Sequence, residues 1–218
     1  MESPVRENGS LFIPDGTQLI ETFGWHPSEG ARRIDLHLSR MAHSASQLGF
    51  SFNRADAAAK VTGVSGAEAL RCRLTLSQDG ALSLTTAPLG ETAVSWRMAI
   101  APVRLQSDNV WLRHKTTHRR IYDEARAALP AGIDEMLFLN EDGLVCEGTI
   151  TNLFLRKGAG IWLTPALTAG VLPGVLRQSL VDGRHARQAD LMLDDLHEAT
   201  DVVMGNSLRG FIPTEVLF

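Results

Sequence analysis

The chain contains few cysteines, few lysines and no long apolar run. Its two cysteines, Cys72 and Cys146, lie far apart and lack the spacing of a metal site, so we expect reduced thiols and no structural metal. No apolar run reaches the length that a bilayer-spanning helix needs, and residues 1–10 lack the apolar centre of a signal peptide. These absences predict a cytoplasmic protein that does not cross a membrane.

Positive charge is not in excess either. The 21 basic and 25 acidic residues give a net charge of −4, which gives no reason to expect nucleic acid or an anionic membrane as a partner. With 218 residues and 44% hydrophobic content, the chain can bury a sizeable core as one large or two small domains. Composition therefore favours an ordinary globular protein, and its function has to be sought in local patterns.

The first half of the sequence predicts an α+β domain. Apolar residues recur at helical spacing from Asp35 to Gly49, and Asn53 caps a second, alanine-rich helix. The turn at residues 78–80 predicts a hairpin. Strand patterns occur at residues 11–13, 19–25, 71–76, 81–86 and 95–103. We therefore expect an antiparallel sheet accompanied by two helices.

The second half predicts a strand-rich, barrel-like domain with few crossovers. One helix is expected after Lys115, as far as Leu129, and another opens at Pro173. Strand patterns occur at residues 135–139, 144–148, 152–155, 161–164, 201–204 and 211–217. The expected seam is at 106–109, so the two domains are predicted as residues 1–105 and 106–218.

The stretch Leu112–Tyr122 contains Lys115, one of only three lysines. The other two, Lys60 and Lys157, have the surroundings of ordinary surface lysines. Lys115 is instead expected at a strand-to-helix junction with basic residues on both sides. Nearby cations and partial burial favour the neutral amine, which is nucleophilic. A solvated basic patch would account for the same residues.

A reactive lysine implies a carbonyl partner, either a substrate or pyridoxal phosphate. Glu147 shares a strand face with Val145 if the side chains alternate, which predicts a semi-buried carboxylate. Such a carboxylate requires a cationic partner, and a protonated pyridine ring would serve. The alternative is a glutamate on an edge strand in contact with solvent.

Two segments have the features of anion sites. Leu172–Arg177 places backbone N–H groups at a helix start, which suits a phosphate, although a helix start without a ligand is the alternative. Gly205–Gly210 combines a strand end, a hydroxyl and two glycines, and could hold phosphate oxygens or form a simple tight turn. Arg40 lies one helical turn from His37 and could face inward or towards solvent.

These residues lie within segments that resemble the fold-type IV pyridoxal-phosphate enzymes, the class that includes branched-chain and D-amino-acid aminotransferases and 4-amino-4-deoxychorismate lyase. The matching segments are ETF at 21–23, HLSRM at 37–41, HKTTHRRIYDEAR at 114–126, DEMLFLNEDGLVCEGTITNLFL at 134–155, LTPALTAGVLPGVLR at 163–177 and GNSLRGFIP at 205–213. They span most of the chain. Within the class, HKTT followed by RRIYDEAR, together with NSLRG, is more similar to the lyase branch.

The resemblance implies roles for individual residues. Lys115 would bind pyridoxal 5'-phosphate covalently and move protons, and Glu147 would pair with the pyridine nitrogen. The residues implied for the rest of the cofactor site, mainly its phosphate, are Arg40, Val175, Leu176, Asn206 and Ser207. The residues implied for the substrate are Arg209, Arg119 and Arg71, for its carboxylates, and Thr22.

The resemblance also implies a small N-terminal α/β sandwich-like domain and a larger C-terminal barrel-like mixed β domain with helices. It further implies a homodimer whose active site lies between the domains and borrows from the neighbouring subunit. The implied reaction is the conversion of 4-amino-4-deoxychorismate to 4-aminobenzoate and pyruvate in folate biosynthesis. A class IV aminotransferase acting on branched-chain or D-amino acids is the first alternative, and a non-catalytic protein that keeps the fold is the second.

Overall fold

The computed structural model describes residues 6–7 and 10–218. By their backbone contacts these residues form two compact units. The N-terminal unit contains the described residues up to 91 and a later segment, 114–118; the barrel unit contains residues 92–113 and 119–218. Among the described residues, we find no helix with the length and apolar character that a membrane crossing requires.

The N-terminal unit is built on a four-stranded antiparallel sheet. Its strands run in the order β4-β3-β5-β6, and the pair β1–β2 forms a separate two-stranded sheet. The elements of this unit are β1 (Arg6–Glu7), β2 (Ser10–Leu11), β3 (Gln18–His26), β4 (Gly30–Ala31), α1 (Ile34–Leu48), α2 (Arg54–Thr62), β5 (Leu70–Ser77) and β6 (Leu82–Pro88). The predicted antiparallel sheet and its hairpin at 78–80 are confirmed.

Helix α1 forms as its apolar spacing predicts. Leu38, Met41, Ala45 and Leu48 are buried at spacings of three and four residues, and Gly49 ends the helix with φ 74°. The predicted cap of α2 is also confirmed, because the Asn53 side chain accepts a hydrogen bond from the Ala55 N–H at 2.9 Å.

The segment 114–118 joins the edge of β3. Lys115 O accepts from Ile20 N at 2.8 Å, and Thr117 N donates to Gln18 O at 3.0 Å. Thr116 forms an antiparallel bridge with Leu19. Lys115 is therefore held in extended backbone. The helix expected directly after it begins only at Arg120, because Thr117 N donates to β3 and His118 N donates to Thr116 Oγ1 instead of to helical carbonyls.

The barrel unit contains a long mixed sheet that closes on itself. Its strands run in the order β12-β11-β10-β13-β14-β7-β8-β9, and β9 also pairs with β10, so six strands form a closed barrel. The elements are β7 (Trp96–Leu105), α3 (Arg120–Ala127), β8 (Glu135–Asn140), β9 (Val145–Gly148), β10 (Asn152–Arg156), β11 (Trp162–Pro165), α4 (Val175–Asp182), β12 (Ala186–Ala189), α5 (Leu193–His197), β13 (Asp201–Asn206) and β14 (Gly210–Leu217).

The barrel encloses an apolar core. Met98, Leu137, Leu153, Met204 and Ile212 each have exposures of 0%, and they pack in one cluster. The expected α+β fold with a barrel-like second part is thus confirmed. The domain boundary after residue 105 stays a prediction; by backbone contacts, β7 belongs with the barrel strands β8 and β14.

Candidate active site

Glu147 lies on β9, where all four residues are buried. Its side chain receives hydrogen bonds from Tyr122 Oη at 2.7 Å, Leu172 N at 3.1 Å and Asn152 Nδ2 at 3.2 Å. Only 5% of Glu147 is exposed, so the alternative of a solvent-exposed edge glutamate is wrong. Three donors around one buried carboxylate stabilise its ionised form.

The groups beside Glu147 remain protonated. Burial raises the pKa of Tyr122 well above its ordinary value, and the negative Glu147 raises it further. Burial together with Glu147 likewise raises the pKa of the Cys146 thiol to about 12. Tyr122 is therefore a hydrogen-bond donor at neutral pH, and Cys146 is a thiol without nucleophilic character. Tyr122 is the only tyrosine of the chain, and the sequence interpretation assigned it no role.

The segment that leads into α4 contacts Glu147 and Asn152 through the backbone of Leu172. Leu172 N donates to the Glu147 carboxylate, and Leu172 O accepts from Asn152 Nδ2 at 3.1 Å. A Cβ at Gly174 would overlap Asn152 Oδ1, so this close approach requires glycine. The first-turn N–H groups of α4, including those of Val175 and Leu176, have no intrahelical acceptor, as at every helix start.

Arg177 fixes the first turn of α4 from inside the unit. It is completely buried, and its Nη2 donates to Pro165 O at 2.7 Å and to Gln188 Oε1 at 2.9 Å. Burial lowers the pKa of Arg177 to about 10, although Glu147 acts in the opposite direction. The guanidinium remains charged at neutral pH and ties α4 to β11 and β12.

The turn from β13 to β14 is organised by Asn206. Its Oδ1 accepts from Leu208 N at 3.1 Å and Arg209 N at 2.9 Å, and its Nδ2 donates to Ile150 O at 3.2 Å. Ser207 is buried in this turn, and the Arg209 guanidinium lies 6.0 Å from the centre of the Trp96 ring. The segment is thus a hydrogen-bonded turn that also presents a hydroxyl and a cation.

In the N-terminal unit, Lys115 is half-buried between two anchored histidines. His114 Nδ1 lies 3.0 Å from Ser44 Oγ, and His118 Nε2 lies 2.7 Å from Thr17 Oγ1. These contacts and the pairing with β3 fix the backbone on both sides of the lysine. Lys115 itself is thus only partly solvated, while Arg113 and Arg120 in the same stretch are exposed.

Arg40 faces inward on α1 and binds a buried carboxylate. Its Nε and Nη2 donate to the two oxygens of Glu21 at 2.8 Å and 2.6 Å, and His37 Nδ1 lies 2.6 Å from Glu21 Oε2. Burial alone would raise the pKa of Glu21, but Arg40 and His37 outweigh burial and lower the pKa to about 2. The sequence interpretation gave Glu21 no role; its only signal was the i, i+3 spacing of His37 and Arg40.

The four substrate candidates occupy different settings. In the barrel unit, Arg119 is bound to Asp123 at 2.7 Å and donates to Thr149 O at 2.8 Å, while Arg209 lies over Trp96 as described above. In the N-terminal unit, Arg71 is exposed on β5 and Thr22 is half-buried on β3.

The closed six-stranded mixed barrel and the separate antiparallel sheet are the architecture expected for the fold-type IV class. The comparison with known families agrees. Residues 18–216 match the model of the amino-transferase class IV family, and the chain belongs to this family. It is therefore a pyridoxal-phosphate-dependent enzyme.

Individual relatives carry two kinds of name. The chain is 29% identical over 188 residues to a Schizosaccharomyces pombe protein named "Putative aminodeoxychorismate lyase", with 79% of each chain covered. It is 39% identical over 84 residues to the aminodeoxychorismate lyase of Bacillus subtilis, covering 36% of this chain and 28% of that one. A crystal structure of a "Putative amino-acid aminotransferase" from Mesorhizobium loti superposes with a TM-score of 0.86 at 40% identity, covering 92% of this chain and all of that one.

Proposed function

We propose that the chain is a lyase that converts 4-amino-4-deoxychorismate to 4-aminobenzoate and pyruvate. The observation that carries the cofactor chemistry is the buried Glu147 carboxylate, held by three donors beside the start of α4. Support for the lyase over an aminotransferase comes from the names of the S. pombe and B. subtilis relatives and from the HKTT and NSLRG segments.

The donor set of the barrel unit suits pyridoxal phosphate. An ionised, buried carboxylate is a suitable partner for a protonated ring nitrogen, and we assign this role to Glu147. Helix N–H groups suit a phosphate, and we assign its oxygens to the backbone of Val175 and Leu176. We also assign Asn206 and Ser207 of the barrel unit to the cofactor, together with Arg40 of the N-terminal unit.

Lys115 is the catalytic residue of this proposal. When bound, pyridoxal phosphate supplies an electron sink for the charge that develops at the amine-bearing carbon of the substrate. Lys115 would hold the cofactor covalently, and its ε-amine would take the proton from that carbon. His114 and His118 fix the backbone from which this amine acts.

The substrate carries two carboxylates, which arginine binds well because its planar fork matches carboxylate geometry. We assign Arg209, Arg119 and Arg71 to these carboxylates and Thr22 to the substrate edge. Arg119 keeps Asp123 as a partner at 2.7 Å, so part of its charge is already balanced within the chain.

An aminotransferase is the second candidate, because the M. loti protein with 40% identity carries that name. The same lysine and glutamate would serve both reactions, so these residues do not discriminate between them. In transamination Lys115 would deliver the proton at a different position, and the enolpyruvyl group would not leave.

Product analysis separates the two reactions. The protein is incubated with chorismate, glutamine and an aminodeoxychorismate synthase, and 4-aminobenzoate is quantified by chromatography. The lyase proposal predicts 4-aminobenzoate and an equal amount of pyruvate, which the K115A variant does not form. Absence of both products, together with glutamate-dependent transamination of a 2-keto acid, would reject the lyase.

The Glu147 assignment has its own test. Glu147→Gln should leave the cofactor bound but slow turnover about 100-fold, since a neutral amide does not stabilise the protonated ring nitrogen and the loss of a charge-assisted contact costs about 3 kcal/mol. Turnover at the wild-type rate would show that Glu147 does not pair with the ring.

We also propose that the protein acts as a homodimer in the cytoplasm and supplies folate biosynthesis. These assignments rest on the resemblance to the class. Sedimentation velocity at micromolar concentration tests the assembly, with a single species of twice the chain mass expected.

A further inference from the structure

Asn152 occupies the point in the barrel unit where three candidate cofactor segments meet. As the first residue of β10, it pairs across the ladder with Glu147 on β9 and with Gly205 on β13. Its side chain is 4% exposed and lies against the segment that precedes α4. The residue is thus adjacent to the candidate ring partner, the candidate phosphate helix and the candidate phosphate turn.

The hydrogen bonds of Asn152 link the first two of these segments directly. Its Nδ2 donates to Glu147 Oε2 at 3.2 Å and to Leu172 O at 3.1 Å, and Leu172 N returns a bond of 3.1 Å to the same Glu147 oxygen. The Glu147 carboxylate, the Asn152 amide and the backbone N–H and C=O of Leu172 therefore form a ring of three hydrogen bonds. Displacing any one of these groups breaks a hydrogen bond to another.

The chemistry of the site requires an amide. Both neighbours of Nδ2 are acceptors, so only an NH₂ group satisfies them, and a flipped amide would place Oδ1 against a carboxylate. On the other side, Oδ1 fills the space that a Cβ at Gly174 would occupy. An aspartate has the same size but has no hydrogens for either acceptor.

We propose that Asn152 is a positioning residue that couples the ring end of the cofactor site, at Glu147, to the phosphate end, at the start of α4. The inference rests on the proposed roles of Glu147 and of the backbone of Val175 and Leu176. It goes beyond them by assigning the alignment of the two ends to one side chain. Asn152 touches neither the substrate nor the reacting atoms; it acts through Glu147 and Leu172.

Two readouts on the holoenzyme report the two ends separately. The phosphate end is measured by the equilibrium exchange of bound pyridoxal phosphate for added pyridoxal, which lacks the phosphate. The ring end is measured by the pH midpoint of the visible absorbance of the bound cofactor. The variants are Asn152→Ala and Asn152→Asp, and the second keeps the volume of the side chain.

We expect both readouts to change in both variants. The preference for pyridoxal phosphate over pyridoxal should fall about 10-fold, as expected for a lost hydrogen bond to a buried charged group. The absorbance midpoint should move by about half a pH unit or more, and Asn152→Ala should not move it further in the E147Q background, where the carboxylate is absent.

Asn140 provides a matched control. It is a buried asparagine in the same unit whose Nδ2 donates to Ala169 O at 3.3 Å and whose Oδ1 accepts from Leu144 N at 2.8 Å. Asn140→Ala should lower the melting temperature, while the exchange preference stays within about 2-fold and the absorbance midpoint stays unchanged.

The outcomes separate the inference from the proposed function. If the Asn152 variants lower only the melting temperature, or change only one of the two readouts, the coupling role is wrong. If E147Q itself leaves both the midpoint and the turnover unchanged, the proposed Glu147 role fails first, whatever the Asn152 variants do.

Discussion

At the scale of single residues, each unit contains a buried carboxylate, and the two differ in the groups that donate to them. In the barrel unit, Glu147 accepts hydrogen bonds from three neutral donors, on Tyr122, Leu172 and Asn152. Glu21 is instead neutralised by Arg40, so it positions a cation of the chain itself. Neutral donors solvate the Glu147 carboxylate without cancelling its negative charge, which suits the ring-pairing role proposed for it.

A Tyr122 variant tests whether the hydrogen bonds to Glu147 contribute to turnover. Tyr122→Phe removes the 2.7 Å donor from the carboxylate but keeps the ring, which packs 5.1 Å from Phe138. We expect turnover to fall about 10-fold, because the hydrogen bond of a charged acceptor is worth about 1.5–3 kcal/mol. Steady-state kinetics provides the measurement, and an unchanged kcat would show that Leu172 and Asn152 hold Glu147 without help.

Glu21 should make the stability of the N-terminal unit sensitive to acid. Its pKa is lowered from 4.5 to about 2 in the folded chain, so its stabilising effect is complete above pH 4.5 and is lost as the pH falls towards 2. The shift corresponds to about 3 kcal/mol.

Denaturant unfolding at pH 7, 4 and 3 checks the prediction. Glu21→Gln should be less stable than the wild type at pH 7, and the difference should shrink between pH 4 and pH 3. A gap that stays constant over this range would mean that Glu21 does not titrate as described.

At the scale of elements, Lys115 in the N-terminal unit and Glu147 in the barrel unit are each held by sheet backbone. Lys115 is carried by an extended segment that the β3 edge holds through backbone bonds at Ile20 and Gln18. Glu147 is carried by a barrel strand whose pairing with β10 closes the sheet. Both supports are sheet backbone, which holds a side chain more precisely than a free loop does.

Gly174 makes the start of α4 a sensitive element. In Gly174→Ala the new Cβ would overlap Asn152 Oδ1 and push the amide from Glu147 and Leu172. We expect cofactor occupancy after dialysis to fall about 10-fold, as for a lost hydrogen bond to a charged group. Gly90→Ala is the control, because a Cβ there has nothing within 4 Å. Equal occupancy in the two variants would contradict the close approach.

At the scale of the whole molecule, patterns local to one element were readable from the sequence. The spacing of Leu38, Met41 and Ala45 predicted α1, and strand alternation predicted that Glu147 would be withdrawn from solvent. The strand β12 was missed because Arg187 and Gln188 are exposed on the outermost strand of the sheet. A polar edge strand has no alternation to detect.

Contacts between residues that are far apart in the sequence could not be predicted from these local patterns. Glu21 and Arg40 are 19 residues apart, and Tyr122 and Glu147 are 25 apart, so neither pair has a local signature. The barrel closure by β9 and β10 is likewise set by packing of the unit as a whole. The resemblance to a known class supplied the roles of Lys115 and Glu147 that residue spacing alone left open.

The central claim is that Lys115 binds the cofactor covalently, and borohydride reduction of the holoenzyme followed by peptide mass spectrometry tests it most directly. The chain has only three lysines, so Lys60 and Lys157 are internal controls in the same digest. We expect a reduced pyridoxyl-phosphate adduct on the peptide that contains Lys115, and none in K115A. An adduct on Lys60 or Lys157 alone, or an unmodified Lys115 in a holoenzyme that shows the cofactor absorbance, would contradict the account.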